Sequence, residues 1–212
     1  MTQPQPQPQP WAMSKYRQIG FLMEAGQDVD PNEYLTNSTR IENLLKGGVD
    51  YKDKKKRYWV NASGHDCFAI YARGLNITNS DRPVYWRWMT DSDGNEMARV
   101  VKTRWLEVRG SFWTMNLSPN VLYKVAFKLK MLTSSSTMRG QTVNLKLSLP
   151  DGTYQERQAN LPSHDSWEEL EVGRFTMTAQ NVGKMEFAME QLFGRWREGL
   201  IIKSVEIKAA SA

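Results

Sequence analysis

The stretch Val121–Leu132 constrains the fold most. Val121, Tyr123, Val125, Phe127, Leu129 and Met131 take alternate positions, and Lys124, Lys128 and Lys130 fall between them. Strand side chains alternate across a sheet, so this is an antiparallel strand with one buried and one wet face; a helix would scatter the same residues around its axis. Val143–Leu149 repeats the pattern with Asn144, Lys146 and Ser148 outward, and Pro150-Asp151-Gly152 supplies a turn. Phe68, Ile70 and Ala72 alternate with Cys67, Ala69 and Tyr71, and Trp105–Arg109 alternates next. Trp167–Val172, Arg174–Met177, Met185–Leu192 and Leu200–Lys208 are further strand candidates. Short strands at near-regular spacing, with turn residues between them, predict an all-β sandwich after Tyr58. There is no βαβ alternation and no repeat of roughly 20–50 residues.

The N-terminal quarter reads differently. Residues 3–10 are QPQPQPQP, where alternating proline blocks helix and ladder hydrogen bonds. A flexible, polyproline-like arm over 1–13 is expected. Tyr16, Ile19, Leu22 and Met23 recur at helical spacing before Gly26. Asp30-Pro31-Asn32-Glu33 is a capping pattern, followed by Tyr34, Leu35, Ile41, Leu44 and Leu45 and a stop at Gly47-Gly48. A helical segment over 14–50 is therefore expected. Lys52–Arg57, KDKKKR, reads as a solvated linker that marks the boundary with a main domain over 51–212; a nuclear-import signal and a polyanion contact are the sharper readings.

Few function classes survive. No run of about 18 apolar residues exists to span a membrane. A single cysteine, Cys67, excludes an internal disulfide framework and fits a reducing compartment. No apolar leader is visible, so the N-x-Ser/Thr triplets at Asn37, Asn61, Asn76 and Asn116 are expected to be unused. His65 and His164 lie far apart in polar turns, each followed by an Asp that adjacency prevents from orienting it. One Cys and two distant His make no metal site, and no glycine-rich phosphate loop is present. Neither catalysis nor a cofactor is expected.

Tryptophan stands out, at eight residues. Trp105 and Trp113 read as core, whereas Trp86, Trp88, Trp167 and Trp196 neighbour turn residues. Trp167 with Glu168, Glu169 and Glu171 reads as an exposed strand edge. In Asp81–Met89, Tyr85 and Arg87 face one side of an extended run and Trp86 and Trp88 the other. An indole at a loop is a platform for the apolar face of a pyranose, with polar neighbours to read its hydroxyls. It equally stacks an unpaired base, and a net charge of +5 suits a polyanion. The residues leave both readings open.

Four blocks in order, YARGLNITNSDRPVYWRWM (71–89), RWLEVRGSFWTMNLSPNVLYKVAFKLK (104–130), SWEELEVGRF (166–175) and RWREGLIIKSVEIK (195–208), resemble the phloem protein 2 lectins of plants, the Nictaba-like group. The helical piece and QPQP arm resemble the extended cucurbit form. The resemblance implies a jelly-roll β-sandwich that binds N-acetylglucosamine oligomers, meaning chitin fragments and the core of N-glycans on glycoproteins. It implies no catalysis, a homodimer, a place in the cytoplasm, nucleus or phloem sap, and a defence or wound role. In the family pattern a tryptophan follows the triplet matched by Asn76-Ile77-Thr78; here that residue is Asn79, placed to bond an acetamido group. The family's second sugar-binding tryptophan is matched by Trp86, expected to lie open at the sandwich edge and stack on the sugar, flanked by Asn79, Asp81 and Arg87. A family glutamate aligns with Glu190 or, after a one-residue shift, with Gln191, which alternation favours through Met185, Phe187 and Met189; Trp196-Arg197 takes the family's Trp-Lys loop position. Cys67 reads as a small buried hydrophobe, and the resemblance adds an intermolecular disulfide to a phloem filament protein. The rival readings are an RNA carrier and a filament cross-linker.

Overall fold

The computed structural model describes residues 10–32, 39–133 and 136–210. Helices α1 (Pro10–Glu24) and α2 (Thr39–Gly47) come first. Strands β1 (Val49–Tyr51), β2 (Lys56–Val60), β3 (Asp66–Tyr71), β4 (Asn76–Ile77), β5 (Trp86–Thr90), β6 (Glu96–Val100) and β7 (Leu106–Trp113) follow. Then come β8 (Leu122–Met131), β9 (Thr142–Ser148), β10 (Tyr154–Asn160), β11 (Glu168–Thr176), β12 (Lys184–Gln191) and β13 (Leu200–Ala209).

These strands form the expected jelly-roll sandwich of two antiparallel sheets. The small sheet has the order β10-β9-β12-β7-β4. In the large sheet, β8 lies along the whole of β13, with β11 outside it. On its other edge β13 pairs with β6 through Ile201 and Ile202, then with β3 through Ser204–Ile207. The sheet thus forks at β13 into an arm β3-β2-β1 and an arm β6-β5. From β7 onward every connection except the β9–β10 hairpin crosses between sheets. The inward residues of β8 and β12 meet between the layers, with Phe127 edge-on to Phe187 at 6.2 Å. Phe187 lies opposite Gly110 on β7, where a Cβ would come within 2.5 Å of the ring. Glycine is the residue that lets this ring lie across the strand.

The helical segment is part of the same core. Phe21 of α1 packs on Tyr58 and Phe68 at 4.5 and 5.2 Å, and Ile41 and Leu45 of α2 are buried. Asp66, 0% exposed, anchors α1. It accepts hydrogen bonds from the Tyr58 hydroxyl at 2.6 Å and the Ser118 hydroxyl at 2.9 Å, and pairs with Arg17 of α1. α1 begins at Pro10, inside the expected arm, because proline's fixed φ suits a first helical turn. Residues 1–9 of the arm, and Tyr34 and Leu35, lie outside the described residues.

Two expectations need correction. KDKKKR is no linker. Lys52, Asp53 and Lys54, at φ 53–57°, turn the β1–β2 hairpin, and Val49 pairs with Tyr58 across the proposed boundary. Lys52 reaches Glu24 of α1, Lys56 lies over the Phe112 ring and Arg57 pairs with Asp50 of β1, so the run is tied into the domain. The two strands expected at 167–177 are one strand, β11, with a register shift between Glu171 and Gly173.

β10 was not expected at all, being polar on both faces. It lies at the sheet edge, where Gln155 closes the seam between the sheets. Its amide donates to the Arg174 carbonyl at 2.7 Å and accepts from the Arg174 N–H at 3.2 Å.

An ion ladder crosses the outer face of the large sheet, from Lys124 through Glu169 to Lys208 and Glu206. Burial would raise the Glu169 carboxyl, but the ammoniums of Lys124 and Lys208 outweigh it and hold it down to about 2. A depressed carboxyl contributes stability that is complete above its unfolded value of about 4.3 and lost as pH falls toward the folded value. Wild type should therefore melt above Glu169→Gln at pH 6, and the two melting temperatures should converge toward pH 2.

Candidate functional site

The run at β5 turns out to be a brace. Trp86 is 2% exposed, and its Nε1 donates to the Thr78 carbonyl at 3.0 Å. Trp88 Nε1 donates to the Ser80 carbonyl at 3.2 Å, with the Arg73 guanidinium 3.5 Å above its ring. Two indoles on one strand face thus hold carbonyls two residues apart and fix the loop before β5. The expectation of an open Trp86 is overturned: its indole lies in the core, and its N–H requires the buried acceptor that the turn offers. Asn79 is exposed at φ 61°, in the left-handed region that asparagine tolerates and a bulky indole does not. Asp81 and Arg87 are exposed as well.

The chemistry gathers on the outer face of the small sheet. Trp105, just before β7, and Glu107 and Arg109 within it alternate with the buried Leu106 and Val108 and take the other face. Glu107 accepts from Trp105 Nε1 at 3.1 Å, Thr78 Oγ1 at 2.9 Å and Arg109 Nε at 2.8 Å. The Trp105 and Thr78 donors, with the Arg109 charge, hold its carboxyl below the usual range, so it stays ionised. Arg109 bridges on to Glu190 at 2.9 Å, and Lys146 donates to the other Glu190 oxygen at 2.6 Å. Glu190 is 3% exposed although it lies on the outer face. Through Thr78, Trp86 supports this network without entering it. The network borders a cleft of about 540 Å³ lined by Asn76, Arg109, Ser111, Lys146, Tyr154 and Ala188, among others. Trp105, 41% exposed, flanks the network; Tyr154 and Trp113 are exposed as well.

These positions correct the expected site. Met185, Phe187 and Met189 face the core, so the alternation that favoured Gln191 selected the wrong face. Glu190 lines the cleft, while Gln191 donates to the Thr142 carbonyl at 2.7 Å. Trp105 and Trp113 are surface residues. The signal for Trp105, Glu107 and Arg109 was their alternation with Leu106 and Val108. Tyr154 and the joining role of Arg109 had no local signal, because they depend on pairing between distant strands.

Beside Trp105, three segments meet at a corner. Thr103 and Arg197 exchange backbone hydrogen bonds at 2.8 and 2.9 Å, which joins the loop after β6 to the loop before β13. Trp196 is exposed and stacks on Tyr85 at 6.2 Å and 13°, with Lys102 and Arg104 over its ring at 5.6 and 5.4 Å. Phe193 meets Trp105 edge-on at 5.9 Å. Cys67 is away from these features. It is buried with its thiol toward the His65 carbonyl, and burial pushes the thiol up. Such a group is a poor partner for an intermolecular disulfide in the folded protein.

Comparison with known proteins places this geometry in context. The family model for phloem protein 2 matches residues 65–209. PHLOEM PROTEIN 2-LIKE A1 of Arabidopsis thaliana is 36% identical over 193 residues, covering 86% of this chain and 77% of that protein. A protein named Lectin from Luffa acutangula is 33% identical over 201 residues, covering 90% of this chain and 95% of its own length. Among solved structures, a family 35 carbohydrate binding module from Clostridium thermocellum overlays with a TM-score of 0.39 and 10% identity, over 67% of this chain and 98% of that one, too slight a likeness to bear on the site.

Proposed function

Because the chain belongs to the phloem protein 2 family, we propose that it is a carbohydrate-binding lectin whose site is the small-sheet cleft and the aromatic residues beside it. Its ligands on this reading are N-acetylglucosamine oligomers, free or in the core of N-glycans on proteins. One observation carries the reading: two fixed carboxylates and two cations, Glu107, Glu190, Arg109 and Lys146, form a braced polar row between the open rings of Trp105 and Tyr154. A sugar ring lays its C–H face on an indole while its hydroxyls and acetamido group meet donors and acceptors already held in place, so little ordering is left for binding to pay for. Glu190 orients Arg109 and Lys146. Asn79, Asp81 and Arg87 are exposed outside the cleft lining and have no part in this reading. Binding changes no covalent bond. Family membership also supports a phloem location, a defence role and a homodimer as parts of this reading.

Titration calorimetry with chitotriose tests it. Trp105→Ala should weaken binding about tenfold or more, as loss of a central aromatic anchor does. Glu190→Gln should also weaken it about tenfold, because Lys146 loses its short ion pair and Arg109 is left held by Glu107 alone. Wild-type affinity in both variants would place the site elsewhere.

A further inference from the structure

The corner beside the cleft has a charge pattern that a neutral sugar does not use. Lys102 and Arg104 both lie over the Trp196 ring, and Arg195 and Arg197 share its loop. None of the four has a carboxylate in ion-pair range among the described residues. Many cations elsewhere on the sandwich are paired, among them Arg109 and Lys146 with Glu190, Lys124 and Lys208 with Glu169, and Arg73 with Glu96; what sets the corner apart is that two cations share one exposed ring. Like charges gathered over one ring repel each other, and a bound anion relieves that repulsion. The Thr103–Arg197 backbone pair fixes the corner, so the cations are already in place. Next to them lie Trp105 and Phe193, the latter 83% exposed.

Resting on the lectin reading above, we infer that this corner gives the site a preference for oligosaccharides with an acidic ring. A hexuronate lies against Trp105 and Phe193, and its carboxylate is held by Arg104 and Lys102. Single-stranded nucleic acid also joins rings to negative charge, but the corner suits it less. A run of bases needs successive free platforms. Trp196 already carries Tyr85 on it and two cations over it. The neighbouring carboxylates of Glu107 and Glu190 would also repel a phosphate chain, whereas a single carboxylate can sit clear of them.

The test is titration of the full chain at 50 and 200 mM salt with four probes: trigalacturonic acid, its full methyl ester, chitotriose and a ten-nucleotide single-stranded RNA. At the lower salt the acid should bind about tenfold tighter than the ester, with a modest salt dependence set by one charge. In the double variant Lys102→Gln, Arg104→Gln the ratio of acid to ester affinity should fall toward one. Both replaced side chains are exposed, and a thermal melt checks that the fold persists. Equal affinity for acid and ester in the wild type overturns the inference. So does RNA binding tighter than the acid, with the steep salt slope of several phosphate contacts. If chitotriose binds while acid and ester do not differ, the lectin reading stands without this preference. If no glycan binds, both fall.

Discussion

Trp86→Ala should unfold the protein more readily before any effect on sugar binding can be read. The indole is buried, and removing a buried tryptophan down to alanine costs about 3–5 kcal/mol. For a chain of this size the thermal midpoint should fall on the order of 10 °C. Trp86→Phe separates the two roles of the ring. It keeps much of the volume but leaves the Thr78 carbonyl without its donor. Thr78 then holds Glu107 less firmly, so chitotriose affinity should drop several-fold with a smaller loss of stability. A Trp86→Ala protein that melts at the wild-type temperature and merely fails to bind would show the indole to be at the rim.

Asp66→Asn should have an effect of similar size at the opposite end of the chemistry. The Tyr58 and Ser118 hydroxyls and the Arg17 guanidinium all converge on this carboxylate. An amide offers one acceptor where two are in use and leaves Arg17 without its counter-charge. Breaking a buried pair in this way costs about 3–5 kcal/mol. The loss should be uneven. α1 carries Arg17 and Gln18, so hydrogen exchange should rise first in residues 10–24, with urea denaturation showing the total. Stability within about 1 kcal/mol of wild type, together with unchanged exchange in α1, would mean that Phe21 and its aromatic neighbours hold the helix without help.

The same contrast explains what is legible in the amino-acid pattern. β8, β9, β12 and β13 are legible because each buries one face, and burial imposes a period of two. β10 is hidden because as an edge strand it buries neither face, and what holds it is register with β9 and the Gln155 amide. The Lys52–Lys54 turn is misread because charge density suggests a linker, whereas three left-handed residues make a hairpin. At the site, the family blocks draw attention to Trp86 but are silent on depth. Whether an indole lies open or buried is decided by the turn that comes to rest against it. Arg109 and Glu190 are 81 residues apart, and only the pairing of β7 with β12 brings them together.

The forked large sheet bears on how the protein is made. Its last strand, residues 200–209, is the one to which three earlier strands, β3, β6 and β8, attach. Until the ribosome has delivered that segment, the two arms have nothing to hang from, and their edges stay open to neighbouring nascent chains. Closure therefore waits for pairings such as Phe68 with Ile207, across most of the polypeptide. Folding of this sheet should be slow, because its central pairings join residues far apart along the chain.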